Sequence, residues 1–250
     1  MITPQEIEKA TMTEEKWKTA HYDFFAFYVG RPISYVVTIP FLYTNISPNM
    51  VSIISIIPLF IGLILSYFAN NILQLLLTWL MFFIWNILDG VDGNIARYKK
   101  QFSRLGSVYD AMSGYMAACL TFLCMGIVAS HHGDCLPAFL MLNDDIYLIL
   151  GGLSAIFVIF PRLIMHKAIT TTKDYSLSES VNDRMRYGWK EIIALNLRSS
   201  TGGAQVLMLI AIIFHFEWIY TIFYFLLNTA IMLVSLKRIL SEKNNHKKQD

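Results

Sequence analysis

Charged side chains are scarce in this chain. Asp, Glu, Lys and Arg make up 15% of its 250 residues, against about 25% in an ordinary soluble domain, so the polar surface of a water-soluble fold is missing. Cysteine is nearly absent too, with Cys119, Cys124 and Cys135 the full set. That excludes a disulfide-stapled secreted domain, and their spacing does not suit zinc. A net charge of +2 makes no case for nucleic acid. No internal repeat or low-complexity tract appears, and a hydrophobic content of 55% excludes disorder. Long uncharged runs are what remains, and they define a polytopic membrane protein.

A helix needs about 20 apolar residues to cross a bilayer. Pro32 to Leu88 contains no charged side chain, and predicts a first span over Asn49–Ala69 and a second from Ile72 into Asp89. The uncharged stretch between Asp110 and Asp134 predicts a third, and Ile146–Met165 a fourth. From Ser199 to Leu236 Glu217 is the one charged residue, so that length predicts a fifth and sixth. With six spans, all 20 Lys and Arg fall on one side. Basic residues favour the cytoplasm, so both termini are expected there.

Pro32–Ile46 is apolar but short and carries Pro32 and Pro40. Together with Thr13–Tyr28 it is expected to lie as helical pieces at the inner interface, with Thr11-Met12-Thr13-Glu14 as a capping box. Trp17, Phe24, Phe25 and Tyr28 would form an apolar face. Val181, Met185, Trp189 and Ile192 predict a second interfacial helix. His131-His132-Gly133-Asp134-Cys135 reads as a polar outer turn, and Gln205 and Asn228 as bridges between helices. Tyr220, Phe223, Tyr224 and Phe225 read as lipid-facing or dimer surface. The fold class is therefore all-α, one domain over residues 1–250: interfacial helices to 48, a six-helix bundle over 49–236, and a cytoplasmic tail over 237–250.

Acids inside membrane helices are costly and usually functional. Here they gather in Asp89-Gly90-Val91-Asp92-Gly93-Asn94-Ile95-Ala96-Arg97, then eight residues, then Gly106-Ser107-Val108-Tyr109-Asp110. At about 100° per residue, Asp89, Asp92, Gly93 and Ala96 share one arc of a helix, and Gly106 and Asp110 one face of the next. A short loop makes these helices neighbours, so the three carboxylates are expected to converge. They would repel one another without cations. Their hard oxygens suit Mg²⁺ or Mn²⁺, which bridge to phosphates. Arg97 can fork onto a phosphate, and Gly93 and Ala96 leave room for a ligand. If the acids merely capped helices or paired with Arg97, Lys99 and Arg104, the adjacent glycines would have no explanation.

Asp-x-x-Asp-Gly-x-x-Ala-Arg, eight residues, Gly-x-x-x-Asp resembles the signature of the CDP-alcohol phosphotransferase (CDP-alcohol phosphatidyltransferase) family. Pro48-Asn49-Met50-Val51-Ser52 is similar to that family's Pro-Asn-x-x-Thr/Ser segment. The resemblance implies a cytoplasm-facing cavity, two divalent metals and a homodimer, in a bacterial or archaeal plasma membrane. It implies attack by an acceptor hydroxyl, lipid or polar, on the β-phosphate of a CDP-alcohol donor. CMP would be released, in phospholipid or related cell-envelope biosynthesis. Asp89, Asp92 and Asp110 would hold metal, and Asn49, Gly93, Ala96, Arg97 and Gly106 would cradle the nucleotide. The pattern ends, however, with a fourth Asp serving as second-metal ligand and general base, and Gly114 stands there instead. The base is thus unassigned. A transferase activated in another way, a non-catalytic CDP- and metal-binding homologue, and a chain in which a native Asp has been replaced all stay open. Arg162 and His166, four apart on the fourth span, are candidates for an anionic acceptor. A transporter is the remote alternative, disfavoured because the acids lie at one end rather than at the midplane.

Overall fold

The computed structural model describes residues 2–131, 143, 145–172 and 188–246. Among them every regular element is helical. In chain order these are α1 (Pro4–Thr11), α2 (Glu14–Ala20), a π-turn (Ala26–Gly30) running into α3 (Arg31–Leu42), α4 (Pro48–Phe68), α5 (Ile72–Tyr98) and α6 (Gly106–His131). There follow α7 (Asp145–Thr172), α8 (Trp189–Arg198), α9 (Gly203–Phe214) and α10 (Glu217–His246).

Five helices, α4, α5, α6, α7 and α10, are long and apolar enough to cross a membrane, and α8 with α9 forms a bent pair that brings the number to six. The fifth crossing is shorter than its apolar run suggested. α9 has 12 residues, about 18 Å at 1.5 Å each, against a hydrocarbon core of about 30 Å. It meets α8 at 61°. α8 itself buries no residue. The interfacial helix expected from Val181 onward therefore reaches Arg198, while Val181 and Met185 lie outside the described residues. So does the outer turn beyond His131.

The bundle core is built by α4–α7, α9 and α10 around Leu59, Phe82, Trp85, Met125, Ile212 and Tyr224. Gln205 and Asn228 do bridge helices: Asn86 Nδ2 donates to Gln205 Oε1, and Asn228 Nδ2 to Ser154 Oγ at 2.7 Å. Tyr220 and Tyr224 are corrected. Both are buried, because their hydroxyls donate to the carbonyls of Ala204 and Leu197, which turns the rings inward rather than to lipid. α6 and α7 meet backbone to backbone, as small residues allow in membrane bundles. A Cβ on Gly151 would lie 2.7 Å from Gly126 Cα and from Phe122 O. Gly151→Val is therefore expected to force the helices apart and lower stability by about 1–3 kcal/mol or more. An unchanged melting temperature in detergent would contradict this contact.

The N-terminal segment differs from the sequence expectation. α1 has no counterpart in it. This helix begins at a capping box between Thr3 and Glu6, and Thr11 is its buried last residue. The N-cap of α2 is Thr13, whose hydroxyl accepts from Lys16 N. Thr13–Tyr28 is helical in pieces, with α2 ending at Ala20 and the π-turn following over Ala26–Gly30. The segment does not rest only on a surface, however: Ile7, Tyr35 and Leu42 form a second core with Val51, Val91 and Ile95. Of the four residues expected to share an apolar face, Trp17, Phe24 and Tyr28 are exposed, whereas Phe25 is half-buried with its ring against Phe83.

Candidate active site

α5 carries its apolar stripe and its acids in one continuous helix, from an Asn71 cap to Tyr98. Its last turns face α3 on one side and α4 on another. The approach of α3 depends on Gly90, where a Cβ would fall 2.8 Å from Ser34 Cβ. Asn94 fixes the register, donating from Nδ2 to Ser34 Oγ and Thr38 Oγ1, both at 3.1 Å. So Gly90 serves the close packing of α3 on α5, and it lines the cavity as well.

Between these elements opens a cavity of about 420 Å³, within the usual range of about 300–1,000 Å³ for small-molecule sites. Asp89, Asp92 and Asp110 all line it, as do Asn49, Gly93, Ala96, Arg97 and Gly106. Every metal and nucleotide position singled out in the sequence is thus brought to one place. Asp92 is nearly buried at 5% exposure, and its carboxylate accepts a short hydrogen bond from the Ser52 hydroxyl. Asp89 is half-buried and Asp110 is exposed. Asn49 Nδ2 donates to Ser103 Oγ at 3.0 Å, tying α4 to the loop before Gly106. The Arg97 guanidinium lies back along its own helix over Gly93, where a Cβ would sit 3.0 Å from Nη1. The room left by Gly93 is thus shared with Arg97.

The carboxylates share a cavity without forming a ready-made cage: among the described residues, no group of three His, Cys, Asp or Glu is set to enclose one ion. Their chemistry still suits a hard divalent cation, since Mg²⁺ uses one or two carboxylates and fills its other positions with water and substrate phosphates. Asp92 is held by Ser52, and Ser55 Oγ and Ser113 Oγ meet at 2.7 Å one turn further in. A hydroxyl layer therefore lies beneath the acids.

Gly114 has open space, with no atom within 4 Å of where a Cβ would project. Beside it, Tyr115 Oη meets His166 Nε2 at 3.1 Å, and the Arg162 guanidinium sits 5.0 Å from the Tyr115 ring centroid. Arg162 and His166 are therefore neighbours, as their spacing on α7 required. They do not line the cavity that holds the aspartates.

Sequence reasoning missed two charged residues of the cavity, Lys16 of α2 and Arg31 of α3. The available signal was a cation at the threshold of an apolar run, Arg31-Pro32, which is equally the mark of a membrane-surface anchor. Burial lowers the Lys16 ammonium to about 7, helped by the nearby charges of Arg97 and Arg31. In the unfolded chain Lys16 stays protonated to about 10.4. Above about pH 7 the unfolded state then binds more protons, so stability rises with pH across that window. Melting temperatures at pH 7 and 9 are expected to rise more for the wild type than for Lys16→Met, whereas equal shifts would contradict it.

A model of the CDP-alcohol phosphatidyltransferase family matches residues 45–236, which takes in α4 to most of α10 and every aspartate of the site. Similarity to individual curated proteins does not reach significance. The match begins just before the Ser47 cap of α4, so α1–α3 lie ahead of it. With the family's region covering more than half of the chain, and its helices forming an apolar bundle with an acid-lined cavity, the chain belongs to the CDP-alcohol phosphatidyltransferase family.

Proposed function

We propose that this protein transfers the phospho-alcohol group of a CDP-alcohol to an acceptor hydroxyl, releasing CMP. The observation that carries this reading is the shared cavity: three aspartates from two helices, with Arg97 laid over Gly93 and Asn49 opposite. In this reading Asp89, Asp92 and Asp110 hold Mg²⁺ or Mn²⁺, and such a cation supplies Lewis-acid stabilisation of charge on the phosphates. Ser52 orients the Asp92 carboxylate. Arg97 neutralises a non-bridging phosphate oxygen, and Asn49 positions the loop before Gly106. The acceptor oxygen bonds to the β-phosphorus, the bond to the bridging oxygen breaks, and that oxygen leaves on CMP. No carboxylate stands at position 114 to take the acceptor proton, so the acceptor must be activated without one. A general base is worth about 10²–10⁴-fold, so its loss slows the reaction without abolishing it. Arg162 and His166, held together on Tyr115, do not line the cavity, so this reading gives them no part in the transfer.

In this reading both termini and the aspartate-bearing helix ends face the cytoplasm, which the one-sided distribution of Lys and Arg in the sequence supports. The open position at Gly114 favours one other reading, a CDP-binding homologue without turnover. A single assay decides: CMP release from CDP-alcohols by the detergent-purified protein with Mg²⁺ or Mn²⁺, across lipid, polyol and sugar-phosphate acceptors. Cation-dependent CMP formation supports transfer. Tight CDP binding without CMP from any acceptor supports the homologue instead.

A further inference from the structure

The cavity that holds the acids is lined by cations as well. Lys16 comes from α2, Arg31 from the first turn of α3 and Arg97 from the last turn of α5, and all three line the same space. Among the described residues none of them forms an ion pair with Asp89, Asp92 or Asp110. Arg31 is placed by apolar partners, its guanidinium 5.9 Å from the Phe27 ring centroid and 3.6 Å from Met12 Sδ. Those contacts fix where its charge sits without neutralising it. Arg31 and Arg97 are set relative to each other, because α3 is keyed to α5 through Gly90 and Asn94. Basic groups gathered in one cavity repel one another, and the carboxylates that share the space form no ion pair with them. The cavity thus offers basic donors that an anionic ligand can take up.

We propose that Lys16 and Arg31, with Arg97, form a phosphate-binding wall beside the aspartates, so that the N-terminal helices ahead of the family's region complete the binding site. This rests on the transferase reading for the identity of the nucleotide, but not for the existence of the wall. The ligand is a phosphate group, from either of two sources: the diphosphate of the CDP donor, or a phosphate borne by the acceptor.

Calorimetric titration of the full-length protein in detergent tests the wall and separates the sources. CDP is titrated with Mn²⁺ present, and inorganic phosphate is titrated both alone and with CDP at saturation. Lys16→Ala and Arg31→Gln are compared with Lys18→Ala, an exposed lysine on the same short helix. A hydrogen bond to a charged group is worth about 1.5–3 kcal/mol, which is about 10- to 100-fold in affinity. A loss of that size for CDP in both variants assigns the wall to the donor. Unchanged CDP affinity with the same loss for inorganic phosphate assigns it to the acceptor. Lys18→Ala is expected to match the wild type in both arms. If the wild type binds CDP and phosphate and neither variant changes either affinity, the wall is overturned. If the wild type binds phosphate but no CDP, the transferase reading fails, and the phosphate arm alone decides the wall. Should Arg31→Gln not fold, Lys16→Ala, on the seven-residue α2, answers the same question by itself.

Discussion

Asp92→Asn is expected to reduce CMP release by at least about 10³-fold while leaving the folded protein as stable as before or more so. The loss in rate follows from taking a charged oxygen ligand out of the site, since cation stabilisation of a phosphoryl transition state is worth several kcal/mol and each 1.36 kcal/mol is tenfold. The gain in stability follows from burial. Asp92 is 5% exposed and shares its cavity with Asp89 and Asp110, and its carboxylate is held by the neutral Ser52 hydroxyl. An isosteric amide keeps the shape, can accept the same hydrogen bond, and removes both a buried charge and a source of repulsion. A purely structural aspartate would show the reverse pattern, with lower stability and little specific effect on turnover. Melting temperature and CMP release measured on the same preparation separate the two.

Gly114→Asp is expected to raise turnover with a neutral hydroxyl acceptor by about 10²–10⁴-fold, the usual contribution of a general base. The position is ready for it: no atom lies within 4 Å of the new Cβ, and Asp110 stands one turn earlier on the same face of α6. The fold should therefore accept the side chain without repacking. Steady-state CMP release with one donor and one alcohol acceptor, compared before and after the substitution, is the measurement. An unchanged rate would mean that the acceptor oxygen needs no base, as with an oxygen that is already ionised.

Much of this site is legible in the sequence because its residues are local. Asp89, Asp92, Gly93, Ala96 and Arg97 follow one helix at fixed angular steps, and a short loop over residues 99–105 returns the chain to Gly106 and Asp110. Helical periodicity alone brings them to the same end of the bundle. The long apolar runs likewise fix most of the spans, since the bilayer sets their length. The contributions of Lys16 and Arg31 are different. They depend on contacts between residues about 60 apart in sequence, Ser34 and Thr38 with Asn94, and no pattern in residues 1–44 signals that docking. The bend between α8 and α9 was also hidden. It is set by polar contacts to the N-terminal segment, where Asn196 Nδ2 donates to Tyr22 O and Ser199 Oγ to Asp23 Oδ2. An apolar run does not reveal that its first residues are held outside the bundle by such bonds.

The same distinction explains the two glycines of the motif. In the sequence their place beside the acids ties them to the ligand, with Gly93 as open room for it. Gly90 also admits α3, and Gly93 admits the Arg97 side chain. The substitution Gly90→Ala therefore tests helix docking as well as the cavity.

The central claim is that a divalent cation held by these aspartates recruits a cytidine diphosphate. Titrating CDP into the full-length protein with and without Mn²⁺, beside ADP and GDP as competitors, tests it most directly. The account predicts saturable CDP binding that needs the cation, is lost in Asp92→Asn, and is not displaced by the purine nucleotides. Binding of equal strength without the cation, or equal binding of all three nucleotides, would contradict it.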